Sequence, residues 1–178
     1  MVKVLLKDSR AIHLLVFDTL IQKFSVVSSV YAPAQTHDKD NFWSHLVYLN
    51  SIIDYLWCLV GDFNELEYPD DKAGGIPARR SRYNCFPSFL SSISASTIEY
   101  QGRIFTWKKH VHGHLIYERL DRAVDRLDWL GLYPEVVITH GPFLCSDHCY
   151  ISLNTQCFSH NIKGHSSSIT LTSPNMIK

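Results

Sequence analysis

The sequence predicts a mixed α/β (α+β) domain, and three observations carry that prediction. Residues 23–62 read as strand, helix, strand. The apolar run Tyr55-Leu56-Trp57-Cys58-Leu59-Val60 leads directly into the polar cluster Gly61-Asp62-Phe63-Asn64-Glu65. Short β-branched segments then recur as far as residue 153. A buried strand that ends in clustered polar groups is how α/β proteins bring side chains to a crevice at the carboxyl end of a sheet. Asp62 and Asn64 flank Phe63, so on extended backbone they point to one face and Phe63 to the other. A carboxylate, which only accepts, beside an amide that both donates and accepts suits a phosphate or a hydrated cation. The same residue types also end strands by satisfying local backbone, which is the plainer reading of this stretch alone.

Each element has its own local signal. Residues 1–10 are short and mixed, and are expected to be a frayed start. Residues 11–17 and the alternating, β-branched residues 23–31 are expected strands, the second closed by Ala32-Pro33. Phe42, Trp43, Leu46, Leu49, Ile52 and Ile53 recur at helical spacing, which predicts a helix over 39–54. Residues 66–83 carry Pro69-Asp70-Asp71, Gly74-Gly75 and Pro77, and read as a surface loop. A helix is expected over 85–95 and short strands over 97–100 and 103–108. His110, His112 and His114 recur at every second position; on a strand they would share a face and could chelate a metal, but a polar hairpin loop is the expected reading. Leu120, Val124, Leu127 and Leu130 have the spacing of an amphipathic helix. Strands are expected over 136–138 and 150–153. The domain is expected to span 1–153, and the Ser-, Thr-, Asn- and His-rich residues 154–178 to form a disordered tail.

Composition bounds the class of function. The chain has 178 residues, 46% of them hydrophobic and 12% aromatic, enough for one domain with a real core. Lys+Arg and Asp+Glu are both 17, so there is no strongly basic coat, although a local basic patch is compatible with neutrality. The stretch Ala11 to Leu20 is broken by His13 and Asp18 and is too polar for a signal peptide or a membrane span. The 5 cysteines, an odd number, read as free thiols of a reduced protein that is intracellular, nuclear or cytoplasmic, and not secreted. Cys145, His148, Cys149 and Cys157 match no common zinc spacing.

A constellation of motifs surrounds Asp62. In chain order it comprises Val30-Tyr31-Ala32-Pro33, Phe42-Trp43, Gly61-Asp62-Phe63-Asn64-Glu65, Gly74-Gly75, Phe105-Thr106-Trp107, Glu118-Arg119-Leu120-Asp121-Arg122-Ala123, Asp128-Trp129 and Ser146-Asp147-His148-Cys149. Taken together and in this order, over about residues 30–153, these resemble the endonuclease/exonuclease/phosphatase superfamily with its DNase I-like, four-layer α/β sandwich. More closely they are similar to the endonuclease domain of plant LINE-type retrotransposons. The resemblance implies Mg²⁺-dependent phosphodiester hydrolysis with DNA as substrate, no membrane and no obligate protein partner. It implies that His148 acts as general base or as a phosphate-neutralising cation, and that Asp121 fixes its tautomer. It assigns Asp62 to orienting water or protonating the leaving oxygen, and Asn64 and Tyr31 to donating to phosphate oxygens. Asp147 would hold the metal directly or through water, and Trp107 would wall the pocket against sugar or base. It also places Arg119 to Val124 on a strand, with a short helix only around 126–130, against the local helical pattern.

The chain departs from that pattern at its start. The family opens with a strand carrying an Asn and a second segment carrying a Glu, the principal metal ligand, and neither context matches residues 1–30. The expectation is therefore a domain lacking its first strands, with weakened Mg²⁺ binding and an exposed sheet edge. A smaller departure is Tyr150, where relatives usually carry Pro. Three functions stay open: an active endonuclease; a non-catalytic remnant that binds nucleic acid weakly through Arg79, Arg80, Arg82, Lys108 and Lys109; and a phosphatase of the same superfamily acting on a lipid or inositol phosphate. The Gly74-Gly75 and Glu118–Arg122 motifs speak against the third.

Overall fold

A computed structural model describes residues 1–155 and 168–171. The chain opens with β1 (Val2–Lys7) and β2 (Ala11–Asp18), an antiparallel pair, followed by β3 (Lys23–Tyr31). The frayed start expected for residues 1–10 is thus a strand: Val2-Lys3-Val4-Leu5-Leu6 alternates well enough to add to the edge of β2, although every residue in it is exposed. Helix α1 (Thr36–Ile52) and β4 (Leu56–Asp62) complete the β–α–β unit, with β4 parallel to β3.

The segment expected to be a surface loop contains β5 (Lys72–Ala73), and its first residues fold inward: Leu66 and Asp71 are buried. Asp71 explains this, because its carboxylate accepts the backbone N–H groups of Glu67 and Tyr68 and the guanidinium groups of Arg119 and Arg122. Helix α2 (Cys85–Ser92) ends before residue 95. The next strands are shifted from the expected ranges: β6 (Ala95–Thr97), β7 (Tyr100–Gly102), β8 (Trp107–Val111) and β9 (His114–Glu118). His110 and His114 therefore lie on strands rather than in a loop. Only His112-Gly113 turns, both with positive φ (48° and 81°), as a two-residue hairpin of the primed type requires.

The contest over residues 118–130 goes to the strand. β10 (Asp121–Arg126) is flanked by β4 and β6, and only α3 (Leu127–Leu130) is helical. Cross-strand pairing on both sides outweighs a helical spacing that short strands also satisfy. β11 (Val137–His140) and β12 (Ile151–Asn154) follow. Within the expected disordered tail, β13 (Ser168–Leu171) pairs with the edge of β12, and its Ser-Ile-Thr-Leu sequence suits a strand. Asn154, also placed in that tail, closes β12, and residues 156–167 and 172–178 lie outside the described residues.

The strands form a six-stranded sheet in the order β1-β2-β3-β4-β10-β6, a four-stranded sheet in the order β13-β12-β11-β7, and a three-stranded one in the order β5-β9-β8. Period-2 alternation divides the core in two. Val26, Val30, Trp57, Leu59 and Val124 face α1 and α2, packing on Phe42, Trp43, Leu46, Phe86 and Phe89. Val27, Cys58, Val60 and Ala123 face the four-stranded sheet, packing on Ile138, Ile151, Leu153 and Trp129. Helices, large sheet and small sheet are successive layers of the sandwich. No helix among the described residues is long and apolar enough to cross a membrane.

One backbone contact sets how closely the central strands approach. Gly61 has φ +144°, and a Cβ there would lie 2.1 Å from the carbonyl oxygen of Val30. Gly61→Ala is expected to destabilise the protein by at least about 3 kcal/mol, through a forced strand separation and an unfavourable φ. A urea titration followed by circular dichroism measures this, and an unchanged midpoint would refute the contact.

Candidate active site

Strand register builds the site from the backbone up. Tyr31 pairs with Asp62 across β3 and β4, and Asp62 pairs with Asp121 across β4 and β10. All three share the parity of Val27, Val60 and Ala123, so their side chains leave the sheet on the face turned to the four-stranded sheet. Phe63 takes the other side and joins the helix-side core, as the alternation predicts. The loop before β12 then delivers Asp147 and His148 to the same row. That loop is clamped to the start of β8: Lys108 N–H donates to the Asp147 carbonyl (2.9 Å) and Cys149 N–H to the Thr106 carbonyl (2.8 Å). Thr106, fully buried, also holds β10 in place, its Oγ1 accepting the N–H groups of Leu120 (3.0 Å) and Asp121 (2.9 Å).

The centre is a carboxylate–imidazole–carboxylate row. Asp121 Oδ2 lies 2.8 Å from His148 Nδ1, and His148 Nε2 lies 3.9 Å from Asp62 Oδ2. Asp62 Oδ1 accepts the Asn64 N–H (2.8 Å), and the Asn64 side-chain amide donates to Asp62 Oδ2 (3.0 Å) and to the Ala32 carbonyl (2.8 Å). Both amide hydrogens of Asn64 are thereby engaged within the protein. Its backbone adopts a left-handed φ of 49°, which Asn tolerates better than most residues.

Burial and charge set the protonation states. Burial pushes the Asp62 carboxyl up, and the Asp121 charge pushes it further, to about 7, against the opposing pull of His148, the Asn64 N–H and Lys39. Burial lowers His148, but the Asp121 hydrogen bond and the charges of Asp121, Asp62 and Asp147 outweigh it and raise the imidazole to about 9. At neutral pH the imidazole is therefore a cation. Burial raises the neighbouring Cys149 thiol to about 12, so it stays uncharged.

Around this row opens a crevice of about 620 Å³, lined by Tyr31, Trp107, Asp147, Lys109, Arg82 and Lys39 among others. Tyr31, Asp62, Asn64, Trp107, Asp121, Asp147 and His148 thus lie at one place. Trp107 is half-buried and its Nε1 donates to Asp147 Oδ2 (3.3 Å). Asp147 is exposed. The sequence reading missed Lys39, which reaches from α1 to Glu65 Oε1 (2.7 Å) and the Asn64 carbonyl (2.8 Å). It also missed Glu118, paired with Lys72 (2.8 Å) and Arg82 (3.1 Å). Its charged neighbours within a motif were the only available signal. Of the basic residues considered for nucleic acid, Lys109 lines the crevice, Arg82 is committed to Glu118, Lys108 lies over the Phe143 ring, and Arg79 and Arg80 are exposed.

No protein-family model matches the chain, nor does any curated protein sequence. Solved structures do. The endonuclease domain of TRAS1, a telomere-specific non-LTR retrotransposon, superposes with a TM-score of 0.70 at 13% identity, over 89% of this chain and 70% of that one. The chain has the DNase I-like fold. A beta toxin from Staphylococcus aureus is also similar, with a TM-score of 0.55 at 14% identity over 83% of this chain and 57% of the toxin. Asp62 lies at the carboxyl end of β4, beside the carboxyl end of the parallel β3, where α/β sheets bind ligands, and Asp121 meets it from the start of the antiparallel β10.

Asp121 is the group that outweighs burial at His148. Asp121→Asn is therefore expected to lower the His148 pKa from about 9 toward or below its ordinary 6.5. An NMR titration of the imidazole C–H resonances reads this, and a pKa that stays near 9 would show that Asp121 is not its cause.

Proposed function

We propose that the chain carries a Mg²⁺-dependent phosphodiester-cleaving site that acts on DNA, of the type found in retrotransposon endonucleases. The observation that carries this reading is the 3.9 Å gap between His148 Nε2 and Asp62 Oδ2. It is too long for a direct hydrogen bond, and it separates a cationic donor from a carboxylate with its pKa near neutrality. In this reading a phosphate oxygen is seated on the imidazolium, and the Asp62 carboxylate takes the proton of the attacking water as its oxygen bonds to phosphorus; the P–O bond to the leaving sugar oxygen breaks, and that oxygen takes a proton from solvent water. Asp121 keeps the imidazole charged and correctly turned. Asn64 acts by locking Asp62 rather than by donating to phosphate, because its amide hydrogens are already used. Tyr31 donates to a phosphate oxygen from the crevice wall, and Trp107 gives an apolar wall to the sugar or base.

The donor set fits a loosely held Mg²⁺ and not a closed cage. Mg²⁺ is commonly held by one or two carboxylates together with water and substrate phosphates. Asp147 suits that role, whereas the two glutamates of the crevice, Glu65 and Glu118, are ion-paired. Among the described residues no group of three His, Cys, Asp or Glu ligand atoms converges in the crevice. When bound, the metal offsets charge developing on the phosphoryl group. The motifs Gly61–Glu65, Gly74-Gly75 and Glu118–Arg122 support a plant LINE-type origin within this reading, and the odd number of cysteines, read as free thiols, supports an enzyme working inside the cell.

Nicking of supercoiled plasmid over a Mg²⁺ series tests the proposal. Slow nicking that grows with Mg²⁺ without early saturation is expected, and His148→Ala is expected to reduce it by about 10²–10⁴-fold. At fixed Mg²⁺ the rate should rise with pH as Asp62 ionises near 7, and fall as His148 loses its proton near 9. Absence of nicking at every Mg²⁺ concentration, with DNA still bound, would establish the non-catalytic alternative.

A further inference from the structure

A second polar cluster stands on the opposite, helix-side face of the large sheet. Asp8 lies in the turn between β1 and β2, His13 on β2 and His45 on α1. Asp8 Oδ1 is occupied by the backbone N–H groups of Arg10 (2.6 Å) and Ala11 (2.8 Å), which fixes the carboxylate. Its Oδ2 lies 3.4 Å from His45 Nε2 without a hydrogen bond between them. His13 is 2% exposed, and its Nδ1 lies 2.7 Å from Ser28 Oγ, which also accepts from Trp57 Nε1 at 2.7 Å. The Nε2 atoms of both His13 and His45 are shut off from solvent and have no hydrogen-bond partner. Ligand atoms of the three residues all lie within 4.8 Å of one another.

A buried nitrogen with no partner is unfavourable unless something else meets it. Ser28 Oγ has two lone pairs, so it can accept from Trp57 and from a His13 Nδ1–H together. That tautomer leaves the lone pair on Nε2, facing the cluster. A ring N–H donated to an outer partner is the usual support of a metal-ligating histidine. Tetrahedral Zn²⁺ with bonds of about 2.0–2.1 Å has ligand–ligand edges of about 3.3–3.4 Å, and Asp8 Oδ2 and His45 Nε2 stand at that separation. Their side chains are 34% and 42% exposed, which leaves them room to close on an ion while buried His13 stays fixed.

We infer that Asp8, His13 and His45 form a Zn²⁺ site with three protein ligands and a fourth position open to water. Such an ion staples the β1–β2 turn to α1. It also steadies Arg10, whose carbonyl accepts the Tyr31 N–H at 2.8 Å. The site shares no ligand with the crevice and does not depend on the function proposed for it.

The test uses the full chain after chelator treatment. Calorimetric titration with Zn²⁺, visible spectroscopy with Co²⁺ and thermal melting are compared across wild type, His45→Ala and Asp8→Asn. Both substitutions fall at partly exposed side chains. Asp8→Asn keeps an oxygen for the Arg10 and Ala11 N–H groups but puts an NH₂ group in place of the other, so the turn survives and the ligand does not. Wild type is expected to bind one Zn²⁺ at least tenfold more tightly than either variant. It should also show the bands of four-coordinate Co²⁺ that the variants lack, and gain thermal stability with Zn²⁺ where they do not. Crevice residues and the exposed Cys85 and Cys145 thiols are unchanged in all three proteins, so ions held there cancel in the comparison. Equal Zn²⁺ affinity in wild type and His45→Ala, or the same Co²⁺ spectrum in both, overturns the inference.

Discussion

The ends of β3 and β4 stand level with the start of the antiparallel β10, and the site follows from their register. Tyr31, Asp62 and Asp121 are direct cross-strand neighbours. Because side chains alternate, a slip of one residue in any of the three would turn one member of the row into the helix-side core. Gly61 makes the close approach possible, since no other residue has room against the Val30 carbonyl. Thr106 then ties the start of β10 to the end of the Arg103–Thr106 segment, and the clamp from Thr106 and Lys108 to residues 147–149 brings His148 into hydrogen-bond range of Asp121.

This geometry concentrates charge in a place that disfavours it. Asp62 and Asp121 are both buried and adjacent, so burial and mutual repulsion act together on Asp62. His148 relieves both by carrying a positive charge between them. The loop that follows Asp62 is held by a separate network on the helix side. Arg122, 4% exposed, bonds Asp71 (2.6 Å) and the Glu65 carbonyl (3.0 Å) and lies over the Phe86 ring. Lys39 closes the same loop from α1. Buried ion pairs of this kind add little net stability over apolar packing, but breaking one leaves an unpaired buried charge. Here they determine where Asn64 and Glu65 stand, and so how Asp62 is presented.

Much of the site was legible because its signals are local. Alternation around Phe63 correctly put Asp62 on the face opposite the helix-side core, and the strand ends at Tyr31 and Asp62 follow from a β-branched and an apolar run closed by Pro-containing or polar turns. The resemblance in motif order placed Asp121 on a strand where spacing alone favoured a helix. Less was legible where partners are distant in the chain. The alternation in residues 2–6 is too short and too exposed to announce a strand before β2 offers its edge. Asp71 reads as a turn residue, yet it gathers Arg119 and Arg122 from β10 and the residues before it. Lys39 reads as part of a helix start and is instead a buried cation paired 26 residues away.

The sequence by itself determined which residues could do chemistry, and on which strand ends they stand, because periodicity and turn chemistry act over a few neighbouring residues. Only the tertiary structure decided that Asp62, Asp121 and His148 form one row, that the amide of Asn64 is spent on Asp62 and Ala32, and that Asp8, His13 and His45 meet on the opposite face. These are contacts between segments far apart in the chain. Their distances, and the protonation states that depend on them, come from sheet register and layer packing, which local pattern does not encode.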